Sequence, residues 1–234
     1  PGTRNDDLMP PQVVHSTVAR SLARRRYFAG VTAVALLSLL VAGFQSPLFA
    51  QTPAPSAAYA LNELSGTSAA DTSGNGLTGT LTNGATWGAG QYAGGLRLDG
   101  VNDFVSLGNP TALQLTGSMT ISAWINSSSF PVDDAAIVSK RNSGSSGYQL
   151  DTTIDRGPRT IGFKLTTSSG ANMARYGATP MQANVWYHVA GVYDAAARSM
   201  SVYLNGQLDN GTLLGSVTGT QQNSNQNVQI GQRP

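Results

Sequence analysis

The sequence predicts an all-β fold: a sandwich, jelly roll or barrel made of many short antiparallel strands. Three observations predict it. Apolar residues recur with period 2 through most of the region after Ala58. Turn formers separate these runs, and Gly alone accounts for 27 of 234 residues. No stretch after Ala58 shows a sustained helical period.

The strands follow in order. Tyr148–Ile154 and Thr160–Leu165 flank the turn Arg156-Gly157-Pro158. Met119, Ile121, Ala123 and Ile125 alternate with Thr120, Ser122, Trp124 and Asn126, giving one apolar face and one mixed face. Ile161, Phe163 and Leu165 alternate with Gly162, Lys164 and Thr166, and Met200, Val202 and Leu204 with Ser201, Tyr203 and Asn205. Trp186–Tyr193 is apolar on both faces, as expected of a central strand. Asp194–Arg198 links this strand to the next as a hairpin, and Asn205-Gly206 predicts a second, tight hairpin.

Charge and composition narrow the function. The formal net charge is +2. Five leader arginines (Arg4, Arg20, Arg24, Arg25, Arg26) and two leader aspartates (Asp6, Asp7) carry that excess. From Gln51 onward nine basic and ten acidic residues remain. No basic cluster for nucleic acid stands out there. With no Cys, disulfides, thiol chemistry and Cys-ligated zinc are excluded. One His, His188, lies outside the leader, inside an apolar strand, so it reads as structural and a catalytic triad lacks its parts. The Gly-rich stretch Gly84–Gly95 precedes no helix and is not a phosphate loop.

Residues 1–50 read as a leader. Arg24-Arg25-Arg26 precedes an uncharged run, Tyr27–Phe44, expected to form an apolar helix that is a signal peptide or a membrane anchor. Residues 51–57 read as a Pro/Ala linker and 58–234 as the folded domain. The expected location is secreted, periplasmic or at the cell surface, with membrane contact only through an uncleaved leader.

Several segments carry a family likeness. Tyr59-Ala60-Leu61-Asn62-Glu63 precedes the loop Asp71-Thr72-Ser73-Gly74-Asn75-Gly76. Leu98-Asp99-Gly100-Val101-Asn102-Asp103-Phe104-Val105, Thr120–Ile125, Trp186–Asp194 and Tyr203-Leu204-Asn205-Gly206 follow in order. Together they resemble the LamG-like jellyroll domains of the concanavalin A-like lectin/glucanase superfamily. The resemblance implies a two-sheet antiparallel jelly-roll sandwich and a recognition module for glycan or extracellular protein rather than an enzyme. Family domains close with a strand of the I-D-E-V-R-I-Y kind after an I-G segment. Here Ile230-Gly231 is followed only by Gln232-Arg233-Pro234. The chain is therefore expected to lack that strand, to have an unpaired edge, and to be part of a longer protein.

Candidate site residues follow from chemistry. Ca2+ takes about six to eight oxygen ligands. Asp71, Asn75 and turn carbonyls of the Asp71–Gly76 loop, with Asp99, offer such oxygens, and the resemblance implies an ion there. The alternative is that Asp71 and Asn75 shape the loop by side-chain-to-backbone bonds. Glycans need aromatic platforms with polar neighbours, and Trp124, Tyr148 and Tyr176 are the candidates. The alternative places these rings in the core or over the sheet. Two other functions compete: a structural or adhesive segment of a larger surface protein, and a divergent glycosidase. The chain has one Glu, Glu63. Asp151 and Asp155, if on one strand face, would stand about 13 Å apart, too far for a pair acting across about 5–9.5 Å.

Overall fold

The computed structural model describes residues 54–141 and 146–234. The leader, with its expected apolar helix, and the first linker residues lie outside the described residues. No helix among the described residues is long and apolar enough to cross a membrane. The one helical element among them is a 3-10 turn, Thr111–Leu113.

Among the described residues, fifteen strands form antiparallel ladders. They are β1 (Ser68–Ala69), β2 (Gly79–Thr82), β3 (Thr86–Ala89), β4 (Gly94–Arg97), β5 (Phe104–Ser106), β6 (Met119–Asn126), β7 (Ala135–Ser139) and β8 (Tyr148–Thr153). Then come β9 (Thr160–Thr166), β10 (Asn172–Gly177), β11 (Trp186–Asp194), β12 (Ser199–Leu204), β13 (Gln207–Leu208), β14 (Asn210–Leu214) and β15 (Gln229–Ile230). A nine-stranded sheet has the order β1-β2-β5-β15-β7-β8-β9-β10-β14, and a four-stranded sheet the order β13-β12-β11-β6. β3 and β4 form a separate hairpin.

The alternation read from the sequence sets the layers. Leu150, Ile161, Phe163, Leu165 and Met173 of the large sheet meet Met119, Val189, Tyr193, Met200 and Val202 of the small sheet in one core. Burying each such side chain contributes about 1.5–3 kcal/mol. A satellite cluster of Ala69, Leu81 and Val105 packs with Tyr59, Trp87, Leu96 and Ile230. β11 is central in its sheet, as its two-faced apolar run predicts. Asn205 and Gly206, with φ of 51° and 78°, turn β12 into β13 as the Asn-Gly dipeptide predicts.

Three elements differ from expectation. The opening strand at Tyr59 is reduced to a single bridge, Tyr59 to Asp71. Leu61 and Leu64 have φ of 53° and 62° and bend the chain out of extended form. In the Leu98–Val105 segment only Phe104–Ser106 is strand, because Asp99 turns the chain ahead of it. β8 stops at Thr153, so Ile154 is outside it.

β15 has two residues yet joins the halves of the large sheet. Ile230 pairs with Val105 on one side and Val138 on the other. The chain leading into it is pinned by a buried lysine: Lys140 Nζ donates to Asn109 Oδ1 at 2.7 Å and to the carbonyls of Ser224 and Gln226. In the small sheet, among the described residues, β6 pairs with β11 and has no strand on its other side.

Candidate functional site

The outer face of the large sheet carries polar residues that the sheet buries. Tyr148, Leu150 and Thr152 alternate with Gln149, Asp151 and Thr153, and the register places Gln149 opposite Lys164 and Asp151 opposite Gly162. β10 sets Ala174 beside Lys164 and Tyr176 beside Gly162. Since Leu150, Phe163 and Leu165 point into the core, Gln149, Asp151, Lys164 and Tyr176 point away from it. They are nonetheless buried, with Asp151 at 0% and Lys164 at 5% exposure.

An ion-pair web fills this face. Lys164 Nζ contacts Asp134 Oδ2 at 2.7 Å, Asp155 Oδ2 at 2.7 Å and Asp151 Oδ2 at 3.1 Å. Arg233 donates from Nη2 to Asp134 Oδ2 at 2.8 Å and from Nε to Gln149 Oε1 at 3.0 Å. Gln149 in turn accepts from Ser139 Oγ at 3.0 Å and donates to Asp151 Oδ2. Tyr176 donates its hydroxyl to Asp155 Oδ2 at 3.2 Å, and Arg141 Nη2 donates to Asn172 Oδ1 at 2.6 Å.

Burial and shared charge set the ionisation. Burial pushes the Asp151 carboxyl up to about 7, against the opposing pull of Lys164. The direction is physical: Asp151 shares one ammonium with two other carboxylates. Its Oδ1 has no hydrogen-bond partner and lies over Gly162, where a Cβ would sit 2.2 Å from it. Burial alone would push the Lys164 ammonium down. The charge of Asp151 and the bonds to Asp134 and Asp155 outweigh burial and hold it above its ordinary value. Burial raises the Asp155 carboxyl, but bonds from Lys164 and Tyr176 and the Lys164 charge bring it below its ordinary value.

Above this web lies an open recess of about 390 Å3, lined by Asp134, Arg141, Asp155, Arg156, Lys164, Asn172, Tyr176 and Arg233 among others. Its walls offer guanidinium donors, an amide and carboxylate oxygens in fixed positions. Such planar hydrogen-bonding groups suit a hydroxyl-rich ligand. The expected 13 Å separation of Asp151 and Asp155 is corrected here. Both bond one ammonium nitrogen, because β8 ends before Asp155 and the turn folds that residue back. Proximity does not make them an acid–base pair: Asp151 is sealed under the sheet face, and Lys164 and Tyr176 hold Asp155.

The candidate ring residues occupy three separate places. Tyr176 borders the recess, but its ring is buried at 3% exposure and its hydroxyl bonds Asp155, so it offers no exposed platform. Trp124 lies on the outer face of the small sheet, 40% exposed. Tyr148, expected at a ligand surface, is a core residue at 2% exposure, its hydroxyl donating to the Leu113 carbonyl at 3.0 Å. Its position on the inward register of β8 puts it there.

The residues proposed for Ca2+ make hydrogen bonds within and beside their own loops. Asp71 Oδ1 accepts from the backbone N–H of Ala58 and Ser73, and Oδ2 from Leu77 N–H and the Ser73 hydroxyl. These bonds, that from Leu77 foremost, hold its carboxyl well below the usual range. Asn75 turns its amide nitrogen to the carbonyls of Pro55 and Ser56. Asp99 Oδ1 accepts from Val101 N–H at 2.8 Å and caps its own turn. Among the described residues, the acidic oxygens that converge are those of Asp133, Asp134 and Asp155. There the Lys164 ammonium bonds both Asp134 and Asp155, standing where a cation would.

Sequence reasoning missed Lys164, Arg233, Arg141, Asp134 and Gln149. A charged residue at an outward strand position, as in Gly162-Phe163-Lys164-Leu165, reads as solvated. Its burial follows from neighbours 9 and 30 residues away in sequence, Asp155 and Asp134.

Two antiparallel sheets packed on one core, with a polar recess on the outer face of the larger, define a lectin-like β-sandwich. The chain belongs to the concanavalin A-like lectin/glucanases superfamily: the Laminin_G_3 family matches residues 99–234. No curated protein matches the chain.

Proposed function

We propose that this LamG-like domain is an exported or cell-surface recognition module that binds carbohydrate in the recess over Lys164, without catalysis and without an ion at Asp71, Asn75 and Asp99. One observation carries the reading. An ion-pair web centred on the buried Lys164 ammonium ties Asp155 and, through Asp134, Arg233 to the floor of an open recess. Such a web is preorganised, so a ligand that meets it loses little further side-chain freedom. Superfamily membership supports a carbohydrate- or protein-binding role, though fold alone does not choose the ligand. A glycosidase reading is disfavoured because each carboxylate near the recess floor already bonds Lys164.

A glycan array probed with the full chain, in Ca2+ and again in EDTA, tests this. Binding to at least one glycan is expected under both conditions. Arg156→Ala and Arg233→Ala, on the recess walls, should weaken it about tenfold, the loss of one charged hydrogen bond. A blank array, or binding indifferent to both variants, would remove the recess as the site. Capture of a protein partner that Arg156→Ala abolishes would favour the adhesive reading.

A further inference from the structure

The web beneath the recess closes on itself. Asp151 Oδ2 meets Lys164 Nζ at 3.1 Å, Lys164 Nζ meets Asp134 Oδ2 at 2.7 Å, and Asp134 Oδ2 meets Arg233 Nη2 at 2.8 Å. Arg233 Nε donates to Gln149 Oε1 at 3.0 Å, and Gln149 Nε2 donates back to Asp151 Oδ2. The ring therefore joins a carboxyl at 0% exposure, Asp151, to a guanidinium on the recess wall whose side chain is 40% exposed. A change of charge at Asp151 reaches the groups that a ligand touches through these contacts, across a low-dielectric face.

Every element of this face gives the web a charged or titratable group. Lys164 comes from β9, Asp134 from the approach to β7, Arg141 from beyond β7 and Asp155 from beyond β8. Tyr176 comes from β10 and Arg233 from the chain after β15. Four basic side chains (Arg141, Arg156, Lys164, Arg233) and two acidic ones (Asp134, Asp155) line the recess, an excess of two positive charges while Asp151 is neutral. Ionised Asp151, sealed beneath, cancels one of them. The geometry opposes that ionisation. Asp151 Oδ1 has no donor, and Oδ2 shares its ammonium with two other carboxylates. Burial accordingly raises this carboxyl to about 7.

We propose that the recess binds a sugar carboxylate, the group borne by a uronic acid, and takes up a proton at Asp151 as it does so. The proposal rests on the reading of the recess as a glycan site and names its ligand class and its control. A guanidinium fork matches a planar carboxylate with two parallel hydrogen bonds. Arg156 is exposed and forms no ion pair among the described residues, and Arg233 uses only Nε and Nη2 in the ring. An anion seated over Lys164 and Arg233 draws on the same cations that favour ionised Asp151, so binding favours the protonated form. Linkage is reciprocal, and protonation tightens binding by the same factor. A carboxylate ligand stays ionised at pH 6 and above. Affinity is therefore full below about pH 7 and falls above it.

The test is isothermal titration of the full chain with hexamers of galacturonate, glucuronate and mannuronate, at pH 6 and pH 8.5 and fixed ionic strength. Maltohexaose serves as the neutral sugar and sulfated maltohexaose as an anion without carboxylates. At least one uronate hexamer should bind, about fivefold more weakly at pH 8.5 than at pH 6. Its heat at pH 7.5 should differ between phosphate and Tris by the amount that proton uptake requires. Arg156→Ala should weaken binding about tenfold. Asp151→Asn, folded as judged by circular dichroism, should bind equally at both pH values. The buffer dependence of the parent decides the proton step even where that variant does not fold. Maltohexaose bound as tightly as any uronate, or the sulfated hexamer bound more tightly, overturns the ligand class while leaving the recess reading standing. Heat independent of buffer, or a pH dependence that persists in Asp151→Asn, overturns the proton linkage. Failure of every sugar, acidic and neutral, removes this proposal and the recess reading together.

Discussion

Lys164 is the residue on which the large sheet's outer face depends. Its ammonium is 6% exposed at the side chain and meets three carboxylates. A buried ion pair is not in itself a source of stability, since desolvation offsets attraction, but removing one partner leaves uncompensated charge. Lys164→Met should therefore cost about 3–5 kcal/mol in chemical denaturation at pH 7.5. The same argument predicts rescue by acid. Without the ammonium, the carboxylates of Asp134, Asp151 and Asp155 repel one another, and protonation at Asp151 relieves the deficit as pH falls to 5. A deficit equal at both pH values would mean that packing, not charge, dominates.

At the scale of the element, β6 stands apart. It has eight residues, no charge and no Pro, and among the described residues it pairs with β11 alone. An uncharged edge is a template for another strand. The chain should therefore associate as its concentration rises, and Thr120→Lys, at an exposed outward position, should suppress this with stability changed by only about 0.5 kcal/mol. Sedimentation at increasing concentration decides it; equal association of parent and variant would clear the edge. β6 is also the element most legible from sequence, because its period-2 pattern needs only neighbouring residues, and the same holds for β9, β11 and β12. The short strands were not legible. β15 exists only because Val105 and Val138 flank Ile230, and the recess only because distant strands bring Gln149, Lys164 and Arg233 together. Asp71 was legible as a loop residue but not as one whose two oxygens are both occupied, since its donors include the distant Ala58 and Leu77.

At the scale of the whole molecule, the carboxylates divide into two sets with opposite effects on stability. Asp71, Asp99 and Asp155 titrate below their ordinary values, the first two because backbone N–H groups bond the ionised form. The unfolded chain binds protons there more readily than the native one. Their contribution is present above the usual carboxylate range and lost as pH falls through and below it. Asp151 is the reverse. Its carboxyl is raised by burial to about 7, so between the ordinary value and about 7 the native state holds a proton that the unfolded chain does not. Its contribution is greatest in acid and is lost as pH rises through about 7. The two sets together predict maximal stability in mildly acidic solution, with a steep decline on the acid side and a gentler one through neutrality. Asp151→Asn separates them. The amide keeps the shape and cannot ionise, so the decline through neutrality should flatten while the acid limb stays. Thermal midpoints from pH 3 to 8.5 read both limbs. An unchanged neutral limb in Asp151→Asn would show that Asp151 is ionised throughout, its charge fully matched by Lys164, and would make the web a permanent ion pair rather than a titrating one.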